Sequence, residues 1–332
     1  MARLRIATLR NAAALGAALG LLQAYVVLAG DAPKKVSFYF AAHQDDWQLF
    51  MSPSAYADVS DDRTKAVFVH LTAGDGGMGR YSGDRVRQHP FFAARENGVE
   101  AALRFMTDDT KQPTGKTADL VTVNGHSIHR VSYRNTVAYF LRLPDGDIPG
   151  TGFRRTGYQS LKRLQEGSID TFTAIDDSTV YRGWDDLVST LHALVEAERG
   201  GAPEVQLNVP ELDSHINPKD HSDHVMTGRA ALEATKHLAC ARRLHFVNYA
   251  SAKLPENLTV QERTIEASIF AVTTAGVRAF DHASPWRHYG VYLGRNYFRT
   301  EEGKGRCEAP ARNDATSQAK TRAPAKVNTT AN

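Results

Sequence analysis

The sequence predicts an α/β protein, with a mostly parallel sheet, helices on both of its faces and an irregular insertion. Two apolar runs near the start, Lys35–Ala42 and Lys65–Thr72, are typical of buried strands. A segment with helical periodicity follows each run, and the same alternation returns after residue 183. Strand, helix, strand, helix in this order favours a parallel sheet with covering helices.

The first predicted strand ends in the polar cluster His43–Asp46, and the second ends in a Gly-rich segment after Thr72. A helix is predicted over Trp47–Val59. Another is predicted from about Asp84 to Met106, because Phe92, Val99, Leu103 and Phe105 are spaced along one apolar face.

The second half of the pattern begins with a helix over Trp184–Arg199, which Gly200 and Gly201 should end. Thr259 and Glu262 have capping-box spacing, so a further helix should begin there and run to about Ala275. The elements predicted between these two helices are a strand at Glu204–Val209, a helix at Val225–Ala239 and a strand at Arg243–Tyr249.

Residues 107–178 interrupt this alternation with Gly, Asp, Thr and Pro, and contain short candidate strands at Leu120–Val123 and Val131–Ala138. We interpret the segment as an insertion, or a region that shapes a substrate site, within one domain over residues 30–302. Beyond residue 303 large apolar side chains almost disappear, which predicts a disordered tail over 303–332.

Residues 1–29 have the layout of a signal peptide, with Arg3, Arg5 and Arg10 before an uncharged apolar stretch. We therefore expect an exported protein, periplasmic or extracellular. The alternative is an uncleaved membrane anchor through residues 12–29. These three arginines account for the whole formal charge of +3, so there is no electrostatic reason to expect a nucleic-acid partner.

Two cysteines, Cys240 and Cys307, lie far apart in the chain. One disulfide bond would be compatible with export, but a packed Cys240 and a free Cys307 fit the sequence equally well. The sequence leaves the oligomeric state open as well.

The densest polar clusters follow predicted strands: His43 to Asp46 after the first strand, and Asp220 to His224 after the strand that ends near Val209. Ligands of open α/β sheets bind at the carboxyl ends of the strands. Imidazole nitrogens with a carboxylate are a ligand set for zinc or a similar divalent ion. Because both clusters follow strands of one sheet, the sequence predicts a metal site between them.

These motifs resemble those of the PIG-L/LmbE-like zinc-dependent N-acetylglucosaminyl deacetylases. The family's Ala-His-Pro-Asp-Asp-Glu motif corresponds to Ala42-His43-Gln44-Asp45-Asp46-Trp47, and its His-Pro-Asp-His motif to His221-Ser222-Asp223-His224. The Gly-rich segment after Thr72 and the pair Arg95-Glu96 also fit the family pattern. The resemblance covers about residues 36–106 and 183–250.

The resemblance implies a Rossmann-like fold and removal of the acetyl group from an N-acetylglucosamine-type glycan or small molecule. It implies Zn²⁺ as the cofactor, although another divalent metal would suit the same ligands. His43, Asp46 and His224 match the metal ligands, and Asp45 matches the general base. His221 matches the residue that polarises the carbonyl or protonates the leaving amine. Asp223 is a candidate partner that fixes the tautomer of His221.

Three positions depart from the family pattern. Gln44 replaces a proline, Trp47 replaces a glutamate, and Ala73 stands where many members have an arginine. Two charges near the substrate pocket are thereby lost, so the metal chemistry can persist while the sugar or its attached group differs. The indole of Trp47 would suit either a sugar face or the packed core.

Two other functions remain as alternatives. Gly74, Gly76 and Gly79 satisfy the Gly-x-Gly-x-x-Gly pattern of a nucleotide-binding oxidoreductase, although Arg80 to Asp84 is not the helix start which that pattern needs. The other alternative is a catalytically silent carbohydrate-binding relative. The late aromatics would line a sugar subsite or pack in the core: Trp286, Tyr289, Tyr292 and Tyr297. The remaining histidines, His192 and His237 among them, are interpreted as structural.

Overall fold

The computed structural model describes residues 32–80, 89–108 and 115–309. The helices and strands given below all lie after Pro33. The predicted leader over 1–29 and the part of the predicted tail beyond residue 309 lie outside the described residues. In the part that is described, no helix has the length and apolar character needed to cross a membrane.

Among the described residues, eight strands form one sheet in the order β10-β9-β8-β1-β2-β5-β4-β3, and β6 and β7 form a small hairpin. The strands are β1 Lys35–Ala41, β2 Thr64–Thr72, β3 Thr117–Val123, β4 His126–Tyr133, β5 Thr136–Leu143, β6 Thr171–Thr173, β7 Val180–Arg182, β8 Glu204–Pro210, β9 Arg242–Phe246 and β10 Phe298–Glu301.

The centre of the large sheet is parallel. β9, β8, β1, β2 and β5 pair in parallel, while β10 at one edge and β4 and β3 at the other are antiparallel. The prediction of a mostly parallel sheet is confirmed. The central β1 is buried along nearly its whole length, as its mostly apolar sequence predicts.

Helices cover both faces of this sheet. They are α1 Asp46–Phe50, α2 Ser52–Ser60, α3 Phe91–Asp108, α4 Leu161–Gln165, α5 Trp184–Arg199, α6 Ser222–Ala234, α7 Val260–Ala279 and α8 Trp286–Tyr289. Alternate side chains of β1 enter two different cores, as the two-residue period of a strand dictates. Phe38 and Phe40 pack with Leu191 of α5, whereas Tyr39 packs with Phe270 of α7.

Several predicted boundaries hold and others move. α5 has the predicted bounds and ends at Gly200, and the capping box of Thr259 and Glu262 is present at the start of α7. The helix predicted over Trp47–Val59 is two helices. They break at Met51, because Pro53 lacks the amide hydrogen that would continue the first one.

The segment 107–178 contributes β3, β4 and β5 to the large sheet. The single strand predicted over Val131–Ala138 is wrong: it is the end of β4, a turn and the start of β5. The turn contains Arg134, which has a φ of 47°. Residues after β5 form α4, the small hairpin and the loops around them.

Cys240 and Cys307 form a disulfide bond, which resolves the alternative that the sequence left open. The bond holds the start of the predicted tail, because Cys307 is buried and its amide donates to the carbonyl of Pro203. Residues 303–309 are therefore attached to the body of the protein.

Candidate metal centre

Three strand ends and one helix start meet at the carboxyl edge of the parallel sheet. β1 is followed by the segment from His43 to Asp46, β2 by Asp75, and β5 by Asp145. α6 begins at Ser222, so His221 is its N-cap and His224 lies in its first turn. The loop between β8 and α6 thereby brings the second predicted motif to the first, across the neighbouring strands β1 and β8.

His43, Asp46 and His224 form a buried triangle of ligand atoms. Nε2 of His224 lies 3.2 Å from Nδ1 of His43 and 3.2 Å from Oδ1 of Asp46, and the latter two atoms are 3.5 Å apart. Ligand atoms bound at zinc distances in a tetrahedral site lie about 3.3–3.6 Å from one another. The triangle therefore has the dimensions and the donor set of a divalent metal site.

The electrostatics of the triangle also suit a cation. Burial lowers the pKa of His224, but the carboxylates of Asp220 and Asp46 outweigh it and raise the pKa to about 10. Burial likewise opposes the charge on His43, yet Asp46 raises its pKa well above the usual value. The two imidazoles in turn hold the pKa of Asp46 well below its usual range, against the effect of burial. Positive charge at this point is favoured.

A carboxylate lies behind each imidazole. Nδ1 of His224 lies 2.8 Å from Oδ1 of Asp220, which leaves Nε2 of His224 as the ligand atom in the triangle. Nε2 of His43 is buried without a hydrogen-bond partner among the described residues and faces Oδ2 of Asp223 at 3.5 Å. A carboxylate behind a metal-bound histidine is the usual arrangement that sets its tautomer. Asp220 had no role in the sequence-based prediction.

Asp223 contacts His221 differently from the expectation. Its backbone amide donates to Nδ1 of His221 at 3.1 Å, while its carboxylate oxygen Oδ2 accepts from the amide of Gly146 at 2.8 Å. The carboxylate lies closer to His43 than to Nδ1 of His221, from which it is 3.9 Å away. The tautomer of His221 is therefore set by a backbone hydrogen bond, which leaves the proton on Nε2.

His221 is neutral in this arrangement. Burial and the neighbouring charge of His43 lower its pKa to about 4. Its Nε2 lies 3.8 Å from Oδ1 of Asp145. A neutral imidazole with its proton on Nε2 can donate a hydrogen bond to a ligand oxygen.

Asp45 is held beside the triangle by α3. Arg95 donates from Nη2 to Oδ1 of Asp45 and from Nε to Oε1 of Gln44, 3.0 Å away. The amide nitrogen of Gln44 donates in turn to the carbonyl of Thr72. The other carboxylate oxygen of Asp45, Oδ2, is buried and has no partner among the described residues. One oxygen of Asp45 is thus fixed and the other is available.

The approach of Gln44 and Arg95 requires a glycine at position 74. A Cβ atom there would lie 2.7 Å from Oε1 of Gln44 and 2.8 Å from Nε of Arg95, and the residue has a φ of 51°. Gln44, which replaces the family's proline, therefore links the end of β2 to the arginine that holds Asp45. Trp47 is fully buried against Phe68 and belongs to the core.

Asp145 is a site residue that the sequence analysis missed. Its Oδ2 lies 3.8 Å from Nε2 of His43, and both His43 and His221 keep its pKa below the usual value despite burial. It follows the apolar run Val137–Leu141, so a polar residue at the end of an unrecognised strand was the available signal.

A second group of ligand atoms, from His43, Asp145, His221 and Asp223, shares His43 with the triangle. Its histidine–carboxylate distances, 3.5–3.9 Å, are wider, and Oδ2 of Asp223 already accepts from the amide of Gly146. We therefore assign this group to the surroundings of the triangle. A third group, His192, Glu196 and His237, lies at the surface, where Arg199 donates to both carboxylate oxygens of Glu196.

The Gly-rich segment after β2 does not form a nucleotide cradle. The carboxylate of Asp75 accepts from the amides of Asp145 and Gly79 and thereby occupies the turn. The next described helix, α3, begins only at Phe91. The dinucleotide fingerprint needs a helix to begin at the glycines.

Two neighbouring features complete the surroundings. Tyr249, Tyr289 and Tyr292 lie on the side of His224 and Asp45. The Asp45 carboxylate and burial raise the pKa of the Tyr289 hydroxyl, so this group is a neutral donor close to Asp45. Pro144, the residue before Asp145, lines an open groove of about 620 Å³ together with Arg155 and Gln159 from the middle segment and Gly79 and Arg80 from the segment after β2.

No family model matches this chain, and no curated protein matches its sequence. Among solved structures it is similar to N,N'-diacetylchitobiose deacetylase from Pyrococcus horikoshii, with a TM-score of 0.43 and 16% identity over 81% of this chain and 84% of that one. It is also similar to GalB, the 4-carboxy-2-hydroxymuconate hydratase from Pseudomonas putida KT2440. The TM-score is 0.42 and the identity 12%, over 78% of this chain and 83% of that one. These distant likenesses say nothing about the chemistry of this chain.

Proposed function

We propose that this protein is a metal-dependent hydrolase that removes the acetyl group from an N-acetylglucosamine-type amino sugar. The observation that carries the proposal is the buried triangle of His43, Asp46 and His224 with the available oxygen of Asp45 beside it. The resemblance of the two motifs supports the acetamide as the bond that is cleaved.

Zinc, or another divalent ion held by the triangle, would lower the pKa of water and polarise an amide carbonyl. Asp45 would accept a proton from the attacking water through its unpartnered Oδ2, while Arg95 holds the other oxygen. His221, neutral with its hydrogen on Nε2, would donate a hydrogen bond to the carbonyl oxygen, and the departing nitrogen would take the proton that Asp45 accepted from the water. The water oxygen bonds to the carbonyl carbon, the carbon–nitrogen bond breaks, and the products are acetate and an amine.

The outer carboxylates have a positioning part in this proposal. Asp220 fixes His224, and Asp223 faces the outer nitrogen of His43. A silent carbohydrate-binding relative would have no need of a base, whereas this chain retains Asp45 with an arginine and a glutamine to position it.

The disulfide bond supports export, because such bonds persist in oxidising compartments. We propose a periplasmic or extracellular location, and fractionation of cells that express the full chain would test it. Recovery of the protein in the cytosol with both cysteines reduced would contradict export.

The test of function is Asp45→Asn in the zinc-reconstituted protein. Asparagine keeps an oxygen for Arg95 but cannot accept the proton, so we expect about one ion per chain and a fall in kcat of about 10²–10⁴. Metal content and acetate release from N-acetylated monosaccharides and oligosaccharides measure the two effects. Asp213→Asn, at an exposed carboxylate of the same loop as His221, is the control and should change neither.

Two results would contradict the proposal. Less than about one bound ion per chain in the parent protein would rule out the proposed metal site. Full activity of Asp45→Asn would remove the assigned base. Titration with NAD should show no binding, and saturable binding would favour the oxidoreductase alternative.

A further inference from the structure

A continuous aromatic surface extends outward from His224. The ring of Tyr249 meets His224 edge-on with centroids 4.8 Å apart, and stacks on Tyr292 at 5.5 Å with an angle of 16°. Tyr292 stacks in turn on Tyr289 at 6.3 Å, and Phe50 supports it from behind at 5.2 Å. The three tyrosines, which we call the tyrosine wall, are all partly exposed.

The hydroxyls of the tyrosine wall have no hydrogen-bond partner among the described residues. Tyr297, on the same stretch of chain, differs in this respect, because its hydroxyl donates to the carbonyl of Pro255 at 2.8 Å. A tyrosine that serves only as packing needs no hydroxyl, whereas three such groups beside a catalytic centre offer donors to a ligand.

The charges around the metal centre favour a neutral ligand. Six carboxylates lie around the metal centre: Asp45, Asp46, Asp75, Asp145, Asp220 and Asp223. Arg95, the arginine next to them, is paired with Asp45. Ala73 stands where an arginine would have added positive charge. A phosphate or carboxylate on the ligand would meet net negative charge, even with a divalent ion in place.

From these observations we propose that Tyr249, Tyr289 and Tyr292 form a subsite for an uncharged pyranose ring next to the metal centre. The sugar packs against the tyrosine wall, and its hydroxyls accept hydrogen bonds from the tyrosine hydroxyls. The choice of a sugar as the ligand rests on the proposed function.

Binding, rather than turnover, tests the subsite. The zinc-loaded chain carrying Asp45→Asn is titrated by calorimetry with the β-1,4-linked trimer of N-acetylglucosamine. Tyr249→Phe, Tyr289→Phe and Tyr292→Phe should each weaken binding about threefold to tenfold, the range for one lost neutral hydrogen bond. Tyr297→Phe is the matched control and should leave binding unchanged, since its hydroxyl is already used within the protein.

A charged ligand tests the second part of the proposal. N-acetylglucosamine 1-phosphate should bind at least about tenfold more weakly than N-acetylglucosamine. Equal or tighter binding of the phosphate would overturn the preference for a neutral ring. The subsite itself is overturned if the zinc-loaded Asp45→Asn chain does not bind the trimer. It is also overturned if two of the three tyrosine variants bind the trimer as tightly as that chain does.

Acetate release by the chain with Asp45 intact separates this inference from the proposed function. Acetate release, with no effect of the tyrosine substitutions on trimer binding, would support the reaction and rule out the subsite. Tyrosine-dependent binding without release would keep the subsite and remove the reaction.

Discussion

Glu266 is a buried carboxyl whose charge should make stability depend on pH. It lies on α7 with none of its surface exposed. Its Oε2 accepts from the amide of Gly294 at 2.5 Å, and its Oε1 has no partner among the described residues. Burial raises the pKa of Glu266 to about 8. Gly294 closes the segment that carries Tyr289 and Tyr292, so this contact also supports the tyrosine wall.

The sign of the effect follows from the two states of the chain. Below the ordinary pKa of 4.5, the carboxyl is protonated in the folded and the unfolded protein alike. Between 4.5 and about 8, the unfolded chain releases a proton that the folded protein retains. The free energy of unfolding should therefore fall by about 1.4 kcal/mol for each pH unit across this range. Above about pH 8 the contribution of Glu266 to the free energy of unfolding is constant, and the total decrease in that free energy is a few kcal/mol.

Glu266→Gln removes this charge and keeps an oxygen for Gly294. Urea unfolding at intervals from pH 5 to pH 9 measures the difference in the free energy of unfolding between the variant and the parent. The contributions of the other titrating groups cancel in this difference. The variant should gain stability relative to the parent as the pH rises. Glu262→Gln on the same helix is the control. A hydrogen bond from Thr259 lowers the pKa of Glu262, so the difference in the free energy of unfolding between this variant and the parent should be independent of pH in this range. A constant difference for Glu266→Gln would refute the reasoning.

Two further predictions concern the metal centre and the disulfide bond. Asp220→Asn leaves Nδ1 of His224 without its carboxylate and should weaken zinc affinity about 10–100-fold, measured by titration against a competing chelator; unchanged affinity would mean that Asp220 does not orient His224. Cys307→Ser opens a bond between residues 67 apart in sequence and should lower the free energy of unfolding by about 4 kcal/mol. Denaturant unfolding with and without a reductant checks this, since the reductant should destabilise the parent and leave the variant unchanged.

Much of the sheet could be predicted because its central strands are buried on both faces. β1 and β2 are mostly apolar, with unbroken apolar stretches at Phe38–Ala41 and Ala66–Val69. β8 alternates apolar residues with Gln206 and Asn208, and helices with one apolar face separate the strands. β4 and β5 were missed as separate strands, since the turn between them consists of only Arg134 and Asn135 and contains no glycine or proline. The helical periodicity of the sequence likewise continued through Met51, where the helix is interrupted.

The candidate ligands could be proposed from sequence because each motif is local. His43 and Asp46 are three residues apart, and the first turn of α6 presents His224 close to its N-cap His221. Their partners could not be found in the same way. Asp145 and Arg95 approach the motifs from β5 and α3, and no periodic pattern relates their positions to those of His43 and Asp45.

The sequence by itself determined the alternation of strands and helices and the types of side chain at two strand ends, since hydrophobic period and short motifs are properties of neighbouring residues. The tertiary structure decided which of those side chains meet. The strand order places β5 and β8 on opposite sides of β1 and β2, and the segments that follow β9 and α7 carry Tyr249, Tyr289 and Tyr292 to the same edge. It also decided that Cys240 and Cys307 pair. Contacts across more than 60 residues depend on the path of the whole chain, which local patterns do not contain.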